Sequence, residues 1–263
     1  MRGLPAFFLL ALFVAACSGN GGQSAGNAPD VKNVTGQETL LSDSLRLQQI
    51  EQLVQKGAPR QALLQIEQLL QKDSSNPALL YIKADALEKA GDTSAAIACY
   101  LQAIKIAGIF DEASFRLANL YAETGNKTAL QICEQLLQQT SAAGLRSDLL
   151  YIKGIYYTKN RQYETAINLY DQIIREDYAY VDAYIEKGLI YFDQQQYEKA
   201  LGVFRLSTTV KNSFADGYYW MARTEEKIGR TQDAVANYKR CLALDQSFTE
   251  AREALRRLGV IRS

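Results

Sequence analysis

Histidine does not occur among the 263 residues. Its absence removes the commonest general base and the commonest metal ligand. No Gly-rich phosphate loop, GxSxG elbow, HExxH pair or GxGxxG turn is present either. No catalytic residue, metal site or cofactor is therefore assigned, and an enzyme is not expected. An excess of either charge is also lacking: 29 Lys and Arg balance 29 Asp and Glu, which leaves no basic footprint for nucleic acid. Cysteine is scarce. Beyond Cys17 there are Cys99, Cys133 and Cys241, an odd set without a CxxC spacing, which reads as small buried hydrophobes and not as a redox or zinc centre. With only four prolines, long stretches are free to be helical.

What the sequence does have is a register. Gly154, Gly188 and Ala222 stand 34 residues apart, and so do Ala166, Ala200 and Ala234. A fixed period of that length marks a solenoid of helical hairpins. Within 147–180, Gly154 and Ala166 are small where two helix backbones must approach, and Tyr157 and Tyr170 fill the gaps around them. One such hairpin cannot bury its apolar faces alone, so neighbours must stack on it. Most of the 16 tyrosines fall on such packing positions.

The pattern resembles the tetratricopeptide repeat (TPR). Leu150, Gly154, Tyr157, Ala166 and Tyr170 match that family's positions 4, 8, 11, 20 and 24, while Lys153 and Ile173 depart from its Leu at 7 and Ala at 27. The resemblance implies an all-α fold, a right-handed superhelical solenoid of TPR helix-turn-helix repeats spanning 39–263. The repeats fall at about 43–76 (degenerate, with Ala62 at the small position), 77–110, 111–146, 147–180, 181–214 and 215–248, closed by a C-terminal capping helix over 249–259. Gly91, Gly125 and Gly229 end first helices and suit left-handed caps. Asn160 and Gln195 are expected to take that place in the fourth and fifth repeats, Gln195 at a cost of about 1 kcal/mol against Gly.

The N-terminal region has a different character. Arg2 precedes the apolar run Ala6–Ala16, which is short for a bilayer span and ends in Val14-Ala15-Ala16-Cys17. This resembles the lipobox of bacterial lipoproteins. It implies a signal peptide over 1–16, lipidation at Cys17, and a Gly/Ser/Asn-rich tether within 17–38. An ordinary secretory signal cleaved nearby is the alternative. Ser18 after the Cys, with no Asp there, favours by analogy the outer membrane and its periplasmic face.

In the TPR family, positions 2, 5, 9 and 12 of each first helix line a concave groove. The register puts Tyr151 and Ile155 there in the fourth repeat, Asp182, Ile185, Leu189 and Phe192 in the fifth, and Asp216, Tyr219 and Arg223 in the sixth. The implied groove has an apolar middle edged by acids and suits a protein or peptide partner. Alternatively, the position-5 side chains pad neighbouring helices. The function implied is a non-enzymatic interaction scaffold held at the bacterial envelope. An assembly factor for pili, secretion or outer-membrane protein insertion is the alternative, and an envelope hydrolase a third reading.

Overall fold

A computed structural model describes residues 45–139 and 143–261. The expected signal peptide, Cys17 and the tether lie outside them. The chain separates into units 1–46 and 47–263, and only residues 45 and 46 of the first are described. The helical array is the second unit.

The described residues form thirteen helices and no strand. They are α1 (45–55), α2 (Pro59–Leu70), α3 (Pro77–Lys89), α4 (Thr93–Ala107), α5 (Asp111–Glu123), α6 (Thr128–Gln139), α7 (Ala143–Lys159), α8 (Tyr163–Glu176), α9 (Val181–Asp193), α10 (Tyr197–Val210), α11 (Ala215–Lys227), α12 (Thr231–Leu244) and α13 (Thr249–Arg257). From α2 onward each helix packs on the next, and the first helices α5, α7, α9 and α11 also touch one another in turn. That second set of contacts lines the first helices along one inner face, as a TPR superhelix requires. α7 starts ahead of Ser147, so the residues inserted before the fourth repeat add helix at its start.

Small residues set the helix spacing. A Cβ added at Gly154 would meet the Tyr170 ring at 2.5 Å, and one at Gly188 would run into Phe204. Ala166, Ala200 and Ala234 are fully buried. Ile173, a departure from the family pattern, is fully buried too, and Lys153 pairs with Glu134 at 2.8 Å. Each core joins a hairpin to the helix after it. Ala84, Ala96, Tyr100, Ala113 and Leu117 draw on α3, α4 and α5, whereas Ala222, Ala234, Tyr238, Ala251 and Leu255 draw on α11, α12 and α13. Cys133 and Cys241 are buried and Cys99 is half-buried.

The hairpin turns repeat one hydrogen-bond pattern. Asp92, Asn126, Gln162, Gln196 and Arg230 each donate a backbone N–H to the carbonyl five residues earlier. This leaves the residue before each donor in the left-handed region. Gly125 takes it at φ 71° and Gln195, as expected, at φ 62°. In the fourth repeat the residue is Arg161, at φ 58°, and not Asn160. The register itself gives the reason: Arg161 aligns with Gly125 and Gln195, and Asn160 stands one place early. The Asn160 amide instead donates to the carbonyls of Tyr156 (2.9 Å) and Gly125 (3.2 Å), tying the third turn to the fourth.

Candidate partner-binding site

The nine residues expected in a groove fall on three adjacent inner helices: Tyr151 and Ile155 on α7, Asp182, Ile185, Leu189 and Phe192 on α9, and Asp216, Tyr219 and Arg223 on α11. Their exposures differ. Ile185 and Tyr219 are 8% and 7% exposed and pack as core, so the open apolar strip is narrower than the register implies. Tyr151, Ile155, Leu189 and Phe192 are half-buried. Tyr151 lies between the rings of Tyr170 (6.0 Å) and Tyr180 (5.5 Å). Phe192 meets Tyr197 edge-on at 5.4 Å and Trp220 at 5.8 Å. Arg223 sits over Phe192, Tyr219 and Trp220 and donates to the Tyr219 hydroxyl at 2.8 Å.

Beside this strip stand carboxyl groups in unfavourable surroundings. Asp148, 7% exposed, accepts from the Tyr180 hydroxyl at 2.7 Å, yet burial still raises its carboxyl above the usual range. Asp182 is raised by burial and by the nearby Asp216 charge, against the pull of Lys211. Glu186, one place beyond Ile185, is pushed up to about 7 by burial, with Asp182 and Glu123 adding and Lys159 and the Tyr151 hydroxyl opposing. Burial disfavours the charged form, and a like charge disfavours it further.

Elsewhere on the inner helices, Asp85, Glu88 and Glu226 have cations. Arg116 Nη2 reaches both Asp85 and Glu88 at 2.9 Å, and Tyr100 donates to Glu88 at 3.3 Å. At the other end Arg257 forks onto Glu226 with two contacts of 2.9 Å, and Tyr238 donates to the same carboxylate at 2.5 Å. Burial works against the Glu226 charge, but Arg257 and Tyr238 hold its carboxyl below the usual range. Around it opens a polar cleft of about 700 Å³, between Tyr219, Arg223 and Glu226 of α11 and Glu250, Glu253 and Arg257 of α13. The last helix therefore extends the inner face.

Sequence reasoning missed Arg116 and Glu186. Both occupy position 6 of their repeats, next to groove position 5, and a charge at an otherwise packed position is the signal that marks them. It also missed the consequence at Asn119, which is 6% exposed: Nδ2 donates to Glu123 at 3.1 Å, and Oδ1 is buried without a hydrogen-bond partner.

A tetratricopeptide-repeat family model matches residues 47–111, and one described as anaphase-promoting complex, cyclosome, subunit 3 matches 159–241. The chain has the tetratricopeptide-repeat fold. Among solved structures this TPR fold is similar to that of a tetratricopeptide repeat protein from Parabacteroides merdae, at 16% identity over 81% of this chain and 82% of that one, with a TM-score of 0.69. PilW, described as a widely conserved type IV pilus biogenesis factor, aligns at 17% identity over 81% and 97%, with a TM-score of 0.63. Pseudomonas aeruginosa pilF aligns at 14% over 81% and 96%, with a TM-score of 0.56. At these identities the likeness is one of TPR fold. No curated protein matches the chain.

Proposed function

We propose that this TPR chain is a non-enzymatic scaffold that holds a protein or peptide partner along the inner face of α7, α9 and α11. The reading is carried by one observation. Half-buried apolar side chains (Tyr151, Ile155, Leu189, Phe192) stand beside Asp182, Glu186 and Asp216 on helices that touch in succession. Apolar anchors edged by polar groups are what peptide-binding grooves offer. Asp182, Asp216 and Arg223 form the rim of this site, and Ile185 and Tyr219 its floor.

The scaffold is held at the membrane through a lipid on Cys17, in the outer membrane and facing the periplasm. The order of Arg2, apolar run, small residues and Cys supports this part, and the Gly/Ser-rich stretch after it supplies slack. The same features serve an assembly factor for pili, secretion or outer-membrane insertion, and PilW is described as a pilus biogenesis factor. Mass spectrometry of detergent-extracted protein tests the anchor: a diacylglyceryl adduct at Cys17 is expected, and an unmodified N-terminus elsewhere would overturn it.

The groove is tested by placing the photo-crosslinking residue p-benzoylphenylalanine at position 189 in cells, with exposed position 199 on α10 as control. A discrete crosslinked protein at 189 and none at 199 is expected. Crosslinks at 199 alone would put the partner on the outer face.

A further inference from the structure

The inner face shows an imbalance of charge pairing. Among the described residues Asp85, Glu88, Glu134, Asp171, Glu176, Glu198 and Glu226 all stand within 4.0 Å of a Lys or Arg. None of Glu123, Asp148, Asp182, Glu186 and Asp216 is in such a pair, although Asp148 is buried and Asp182 and Glu186 are half-buried. Asn119 adds an independent sign. Because its Nδ2 donates to Glu123, its amide lies on the face where Glu123 and Glu186 feel one another, and its Oδ1 lacks a donor. Asn119 Oδ1 is thus an acceptor without a donor, and the carboxyls near it, though Tyr180 donates to Asp148 and Asn119 to Glu123, have no Lys or Arg within 4.0 Å. A buried acceptor without a donor costs free energy, and a buried carboxylate without a cation costs more. A docked chain would have to bring donors and positive charge.

Resting on the groove reading above, we propose that the face from Asn119 to Asp216 receives the lysine or arginine heads of a basic peptide segment, bound at Asp182 and Glu186. The peptide's apolar side chains lie on Tyr151, Leu189 and Phe192. Long cationic stems can cover apolar surface while their heads reach the carboxylates. The groups facing Glu186 are Asp182, Glu123, Lys159, Tyr151 and Tyr170, and the internal cations acting on the pair are Lys159 on Glu186 and Lys211 on Asp182. An incoming cation favours the ionised carboxyl, so binding releases protons near neutral pH.

The test is selection from a displayed random dodecapeptide library on the purified chain. It is repeated on Asp182→Asn/Glu186→Gln, with Asp216→Asn as a second variant should the first not fold. Enriched peptides are expected to interleave Lys or Arg with apolar residues, to bind the neutralised variant about tenfold or more weakly, and to release protons in calorimetry across buffers of different ionisation heat. Neutral or acidic winners that compete at Leu189 and Phe192 would overturn the cation inference and leave the groove reading standing. Winners indifferent to both the acids and the apolar strip, or no enrichment at all, would overturn both.

Discussion

The hydroxyl of Tyr238 donates to Glu226 from twelve residues further along the chain, binding the second helix of its hairpin to the first. The same spacing joins Tyr100 to Glu88 and brings Tyr170 within 3.4 Å of Thr158. In the fifth repeat both members are apolar, Phe204 with Phe192, and in the third, whose turn is one residue shorter, they are Cys133 and Ala122, eleven apart. Donor and acceptor are present together or absent together, as burial of a polar group requires. Tyr238→Phe should cost about 1–3 kcal/mol, since a bond to a charged partner is lost. Tyr170→Phe, with a longer neutral contact, should cost less. Urea denaturation of both variants measures the difference.

Two glycines in first and second helices should respond with opposite signs. Gly154→Ala drives a methyl into the Tyr170 ring and should destabilise by about 1–3 kcal/mol. Gly202→Ala, on α10 with nothing within 4 Å of the added carbon, should stabilise by about 0.5–1 kcal/mol. Thermal melting of the pair decides this.

The left-handed turns at Arg161 and Gln195 carry a Cβ where the fold favours its absence. Arg161→Gly and Gln195→Gly should each stabilise by about 1 kcal/mol. An unchanged denaturation midpoint in both would show that the side chains recover the backbone cost.

Stability should rise on mild acidification. Glu186 binds its proton at about 7 when folded and near the ordinary 4.5 when unfolded, so the folded chain holds more protons between those values. The contribution is fully present below about 4.5 and is lost as pH rises through about 7. Asp148 and Asp182 act in the same sense. Glu226, with its lowered carboxyl, acts oppositely and only at lower pH. Midpoints should therefore climb from pH 8 to pH 5, with about 1–3 kcal/mol of the change due to Glu186. Glu186→Gln should flatten the profile by raising its alkaline end.

The repeat architecture is legible in the sequence because packing imposes period on small residues: Gly154, Gly188 and Ala200 can be read without coordinates. The turn in the fourth repeat is less so. Propensity points to Asn160, since Asn tolerates left-handed geometry better than Arg. Register prevails at Arg161 because the turn's hydrogen bonds fix which residue must take that conformation. The positions proposed for the groove can be placed on inner helices from the register, but their exposure cannot. Ile185 and Tyr219 are buried because neighbouring helices cover them, and the raised Glu186 carboxyl and the unpartnered Asn119 Oδ1 emerge only once adjoining helices are in place.

Since every core described is completed by the helix after its hairpin, a single helix cannot be removed without leaving an unmatched face, whereas an entire hairpin can. Lengthening or shortening this protein is therefore quantised. Each added or deleted unit changes the inner face by one first helix, roughly 10 Å, so the span of partner it can hold comes in fixed increments, like notches on a ruler.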